Sequence, residues 1–269
     1  MNPPRSANLS SSPLAIDGIL VPQGAEYQAV CRGLAAVPGV QIPVIPLGIG
    51  RSGVTQALEN PQVQQTLGTW RRAVVMGLAG SLSPDLGVGD LVLYGAVCWA
   101  SGDPGTFSGN APGDDRSQPP TLPPSPGFDS WPCPAPWLDS LAQALAPTWP
   151  HLQPTLGLSQ DSLVSRAAEK QSLGARSGAK AVDMEALPLI QSLRGYELTW
   201  ATLRVISDDC HTTLPDLAPA IRPDGSLDSF KLALALGQNP WAAFQLIRGS
   251  LKALGVLQQV AKALAIAMI

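Results

Sequence analysis

Short apolar runs of strand length, separated by stretches of helical periodicity, constrain this chain more than any other feature. Residues 15–21, 42–47, 73–76, 90–97 and 198–206 read as strands, and residues 25–36 and 138–146 read as helices between them. Strands alternating with helices predict an α/β fold with a layered sheet. At 269 residues and 45% hydrophobic content the chain can bury a sizeable core, and residues 1–269 are expected to form a single domain.

Two stretches interrupt this rhythm. Residues 101–136 are dense in Pro, Gly, Ser and Asp, with Pro119-Pro120 and Pro123-Pro124 blocking regular hydrogen bonding, and read as a long surface insertion, a lid or a spacer. From residue 228 to the end the chain becomes apolar and helical in pattern. After Asp228 no acidic residue follows, while Lys231, Arg248, Lys252 and Lys262 lie among Trp241, Phe244, Leu246, Ile247, Leu251, Leu254, Leu257 and Leu264. Such a helix either packs on the body or an oligomer partner, or lies on an anionic bilayer.

The formal charge of -3 gives no global attraction to phosphate backbones, so nucleic acid is not an expected partner and small molecules are. Cys31, Cys98, Cys133 and Cys210 lie far apart without a CxxC pair, which argues against a metal site and a disulfide framework and for a reducing cytoplasm. The polar, proline-rich start lacks the pattern of a secretory signal, and no stretch is apolar for long enough to span a bilayer.

Three segments carry polar groups at the ends of apolar runs, where open α/β sheets build their clefts. They are Val75-Met76-Gly77-Leu78-Ala79-Gly80-Ser81-Leu82, Ala181-Val182-Asp183-Met184-Glu185-Ala186 and Leu203-Arg204-Val205-Ile206-Ser207-Asp208-Asp209. Taken singly each has an ordinary explanation: a tight glycine turn, a helix start capped by Asp183, and a capped turn.

With the opening Gly18-Ile19-Leu20-Val21-Pro22-Gln23-Gly24-Ala25-Glu26, these segments resemble the purine nucleoside phosphorylase and methylthioadenosine nucleosidase superfamily in order and spacing. The resemblance implies a three-layer fold, a central twisted mixed sheet flanked by helices. It also implies a glycine-rich loop at Gly77-Leu78-Ala79-Gly80, a Met-Glu pair that holds ribose, and a Ser-Asp pair ending a late strand. Ala168-Glu169-Lys170-Gln171-Ser172-Leu173, Thr213-Leu214-Pro215 and Arg222-Pro223-Asp224-Gly225-Ser226-Leu227-Asp228 look more closely like the hopanoid-associated phosphorylase branch. That branch acts on adenosylhopane and releases adenine.

The implied chemistry assigns roles. Breaking the bond between C1' and the base loads negative charge onto the purine, so an acid must protonate it as it leaves. Asp208 is the expected acid, oriented by Ser207 and kept protonated by partial burial; Asp209, one residue on, should point to the opposite face. Glu185 should accept two ribose hydroxyls at a helix N-terminus, with Met184 against the sugar, while Glu26 activates the attacking water. Ala79 and Gly80 are expected to touch substrate, and Leu163 and Val164 to contact adenine, although core packing explains the latter two nearly as well.

Whether the nucleophile is water or phosphate turns on fixed donors for a dianion. Arg51, with Gly50, in Gly48-Ile49-Gly50-Arg51-Ser52-Gly53 is the candidate phosphate site, against an ordinary solvated arginine at a helix start. The arginine that hexameric phosphorylases carry just before the position of Gly77 is missing, as is its counterpart in the opening loop, which leans toward hydrolysis. Leu78 also replaces the serine of many nucleosidases. The expectation is therefore adenine release from an adenosylhopane-type nucleoside, without a cofactor or metal, phosphate being the optional co-substrate. The enzyme would be a cytoplasmic homo-oligomer, peripheral to the membrane if its C-terminal helices dock there. A methylthioadenosine or adenosylhomocysteine nucleosidase, and a nucleoside-binding module without turnover, remain the alternatives.

Overall fold

The computed structural model describes residues 14–100, 125–220, 222 and 228–269. In chain order its elements are β1 (Gly18–Pro22), α1 (Ala25–Ala35), β2 (Val44–Leu47), α2 (Gly50–Glu59), α3 (Pro61–Leu67), β3 (Arg72–Ser81), β4 (Leu91–Ala100), β5 (Phe128–Pro132), α4 (Ala135–Leu145), β6 (Pro154–Ser159), α5 (Ala167–Ser177), β7 (Ala181–Asp183), α6 (Ala186–Leu193), β8 (Thr199–Asp208), α7 (Ser229–Gln238) and α8 (Pro240–Ile266). The fold is α/β, a mixed sheet flanked by helices.

The eight strands run in the order β2-β1-β3-β7-β6-β4-β5, and β8 bonds to both β3 and β4. Pairing is parallel at β1 with β2 and β3, at β3 with β8, and at β6 with β4 and β7; it is antiparallel at β3 with β7 and at β4 with β5 and β8. One consequence is that β3, β7, β6, β4 and β8 close a ring. The far end of β3 parts from its long ladder with β8 to pair with β7, at Gly80 with Val182 and Ser81 with Ala181. A cleft opens where the partners change.

The strand interiors are fully buried: Ile19, Leu20 and Val21 in β1, Val74, Val75 and Met76 in β3, Leu203 and Val205 in β8. Removing a leucine-sized side chain from water contributes about 1.5–3 kcal/mol, so these apolar runs fix which strands lie in the middle. On one side α8 covers the sheet with Ala253, Leu257, Val260, Ala261 and Leu264, all of them buried. Its length holds β8 and α1 together.

The structure corrects several boundaries. Gly77-Leu78-Ala79-Gly80 is strand, not loop, because β3 runs on to Ser81 with partners on both sides. Strands β6 and β7 escaped the sequence reading: one starts at a proline and contains Gly157, and the other has only three residues. The proline-rich excursion ends before its expected limit, since residues 128–132 pair antiparallel with β4. Its residues 101–124, the first thirteen residues of the chain and most of the Arg222 to Asp228 motif lie outside the described residues. No helix among the described residues is long and apolar enough to cross a membrane.

Candidate active site

A cleft of about 190 Å³ at the carboxyl ends of β1, β3 and β8 is lined by Pro22, Glu26, Ile49, Leu78, Ala79, Gly80, Ser162, Leu163, Val164, Val182, Asp183, Met184, Glu185, Ser207 and Asp208. Glu26, Glu185 and Asp208, distant in sequence, thus meet around one hollow. Met184, Ser207, Ala79, Gly80, Leu163 and Val164 lie in the same wall.

Asp208 is positioned by an irregularity in the sheet. Ala79 pairs with Ile206, but Gly80 pairs with Asp208, so Ser207 is an extra residue on β8. Such a bulge breaks the alternation of faces and lets two consecutive side chains serve one cleft. Ser207 Oγ lies 2.6 Å from Asp208 Oδ1, to which it donates, and 3.3 Å from the Ala79 carbonyl. The neighbouring β3 residue has to be glycine, because a β-carbon on Gly80 would stand 2.9 Å from Asp208 Oδ2. Asp209 is absent from the cleft wall: its Oδ1 accepts from His211 N at 2.9 Å and Thr212 Oγ1 at 2.8 Å, capping the following turn. Burial pushes the Asp209 carboxyl up, but these hydrogen bonds outweigh it and hold the pKa below the usual range.

Asp208 has a partner that sequence reasoning missed. Buried Lys170, on α5, reaches Asp208 Oδ2 at 2.5 Å. Its motif was visible only as part of a branch resemblance; six helical residues reveal nothing about a strand end 38 positions away.

A second buried cation sits beside Glu185, below the cleft. Arg204 on β8 is fully buried, with Nε 2.9 Å from Asp183 Oδ2 and Nη2 2.9 Å from the same oxygen and 3.6 Å from Glu185 Oε2. Burial alone would lower the guanidinium pKa, but the charges of Asp183 and Glu185 override it and raise it. Sequence periodicity put Arg204 inside a strand without saying that it would bind both carboxylates.

Glu185 stands at the N-cap of α6, where Asp183 Oδ1 accepts from Ala186 N at 3.0 Å and Ser159 Oγ accepts from Leu187 N at 3.0 Å. Pro188 fits this first turn because its missing N–H would have had no helical partner. Gly50 N donates to Glu185 Oε1 at 3.2 Å. Burial raises the Glu185 pKa, Arg204 opposes the rise and Asp183 adds to it.

Glu26, in the first turn of α1, accepts from Leu78 N at 2.6 Å. Burial and then the charge of Glu185 push its carboxyl up to about 7, against the Leu78 N–H and Arg204. A carboxylate poised there can exchange a proton near neutrality.

Arg51 and Gly50 lie outside the cleft wall. Arg51 forms an ion pair with Asp161 at 3.0 Å and also bonds Gln191, while the Gly50 N–H is occupied by Glu185. Among the described residues the cleft wall contains no lysine or arginine.

Comparison with known proteins places this architecture. The family described as Phosphorylase superfamily matches residues 36–235. No curated protein matches the sequence significantly. Among solved structures, the 5'-methylthioadenosine/S-adenosyl homocysteine nucleosidase of Helicobacter pylori aligns with TM-score 0.59 and 18% identity over 92% of this chain and 96% of that one. The futalosine hydrolase of the same organism aligns with TM-score 0.57 and 17% identity over 92% and 95%. The S-adenosylhomocysteine nucleosidase of Streptococcus pyogenes gives 0.54 and 17% over 91% and 95%. At such identities the likeness is one of fold.

Proposed function

Because the chain belongs to the Phosphorylase superfamily, we propose that it hydrolyses the N-glycosidic bond of an adenine nucleoside and releases adenine. The observation that carries this reading is the meeting of Glu26, Glu185 and Asp208 in one cleft. Water attacks C1' and gives a proton to Glu26, whose raised pKa suits that exchange. The electron pair of the breaking bond goes to the purine, which takes a proton from Asp208. Ribose hydroxyls bind Glu185, the sugar rests on Met184, and the base lies between Leu163, Val164 and the Ala79-Gly80 floor.

Water is favoured over phosphate because Arg51 is engaged by Asp161 and the wall supplies no cation for a dianion. The substrate in this reading is of the adenosylhopane type. Supporting it are the branch motifs around Lys170 and Thr213, and the outward face of α8. On that face Trp241, Phe244 and Leu251 are exposed beside Arg248 and Lys252, and from residue 229 onward the chain has no acidic side chain. The same helix touches the site, since a β-carbon on Gly249 would stand 2.2 Å from the Ser207 carbonyl. An exposed apolar face on a helix that carries basic and no acidic residues suits an anionic bilayer.

The test is adenine release from adenosine, methylthioadenosine, adenosylhomocysteine and adenosine bearing a 5' hydrocarbon chain, with and without phosphate. Release independent of phosphate and fastest for the hydrocarbon nucleoside is expected, and Asp208→Asn should abolish it. No release from any nucleoside would refute the enzymatic reading.

A further inference from the structure

Lys170 is fully buried, and its Nζ donates to three acceptors: Asp208 Oδ2 at 2.5 Å, the Asp209 carbonyl at 3.1 Å and the Thr212 carbonyl at 3.0 Å. Helix stability does not account for this placement. The lysine lies four residues into α5, near the end where the helix dipole disfavours a cation. Nor does fold stability, because a buried ion pair is often no better than apolar residues of equal volume.

The surroundings are built to hold this ammonium against a single anion. The Asp209 carboxylate turns away to His211 and Thr212, and leaves only its carbonyl for the lysine. His211 lies beyond Gln171, which donates to the Cys210 carbonyl. Thr213 Oγ1 accepts from Ala167 N at 3.2 Å and so pins the start of α5 to the same turn. Asp208 on β8 meets Nζ through its carboxylate, whereas Asp209 and Thr212 meet it through their backbone carbonyls.

Asp208 faces the cleft and Lys170 Nζ stands behind it on Oδ2, so a proton that Asp208 gives to a leaving base can be replaced from the lysine. We infer that Lys170 supplies, through Asp208, the proton that departs with the base. As the bond between C1' and the purine breaks, its electron pair goes to the purine, a ring nitrogen takes a proton from Asp208, and Asp208 Oδ2 takes one from Lys170 Nζ, leaving a neutral amine. Water bonds to C1' and yields its proton to Glu26. After release Glu26 returns a proton to solvent and Lys170 regains one, so the balance is one water consumed. Lys170 is thus a positioning residue that also stores the proton. The inference rests on the N-glycosidase reading.

Arginine keeps the charge but cannot be deprotonated, whereas methionine has lysine's reach without the proton. Adenine release by Lys170→Arg and Lys170→Met should fall roughly 100-fold in kcat, with KM within about 3-fold of wild type. Cleavage of p-nitrophenyl riboside, whose leaving group needs no proton, should be unaffected. A Lys170→Arg enzyme with wild-type kcat overturns the inference, as does an equal loss on both substrates by variants that melt like wild type. If neither variant folds, the wild-type pH profile decides: adenine release should lose rate toward alkaline pH, and a flat profile there overturns the inference. A wild type that releases no adenine from any nucleoside instead sinks the enzymatic reading.

Discussion

The β-carbon that Gly77 lacks would stand 2.1 Å from Nη1 of Arg204 and 3.0 Å from Oε1 of Glu26. Gly77 is therefore the opening through which the Arg204 guanidinium crosses beneath β3 to lie among Glu26, Asp183 and Glu185. The glycine segment serves the buried charge cluster before it serves any substrate.

Gly77→Ala should for that reason harm both fold and site. Displacing Arg204 strains the ion cluster, at a cost of about 1–3 kcal/mol by analogy with overpacked cores. A lowered melting temperature together with reduced adenine release is expected, and a variant matching wild type in both would remove Arg204 from this account.

Glu26 should set the acid limb of activity. Its carboxyl is pushed up to about 7, so the base form is lost as pH falls through that value and kcat/KM should decline below it. Glu26→Gln should cut kcat by roughly 100-fold or more and erase that limb. The same group has a stability signature of opposite sense. A raised carboxyl pKa favours the folded state below the unfolded value of 4.5, and this contribution is lost as pH rises through about 7. Melting temperatures between those limits should accordingly depend less on pH in Glu26→Gln than in wild type.

Arg51→Ala should leave adenine release within about 2-fold of wild type whether or not phosphate is present, because the pair it forms with Asp161 is exposed and worth at most about 1 kcal/mol. A phosphate-dependent rate that disappears in this variant would restore Arg51 as an anion ligand.

Vesicle flotation tests the outward face of α8. The full chain should float with vesicles containing phosphatidylglycerol and less with phosphatidylcholine alone, and Trp241→Glu with Phe244→Glu should abolish it. If the wild type does not float but sediments as a dimer that those substitutions dissociate, the face belongs to a second copy.

Much of the fold was legible because burial imposes period and length: the runs at 42–47, 90–97 and 198–206 lie within or against β2, β4 and β8. Short or glycine-containing strands such as β6 and β7 were not, since their place depends on neighbours rather than on their own hydrophobicity. Of the site, motif order yielded Glu26, Glu185 and Asp208, which line one cleft. Lys170 was out of reach because contact between a helix start and a strand end leaves no local periodicity.

By itself, then, the sequence determined which segments are apolar enough to be strands and which acidic side chains stand at their ends, since both are properties of neighbouring residues. Only the tertiary structure decided that a bulge at Ser207 turns Asp208 into the cleft, that Lys170 stands behind it and that Arg204 passes under Gly77. Those are meetings between distant segments, and their geometry is set by how strands pair and helices pack rather than by any window of the chain.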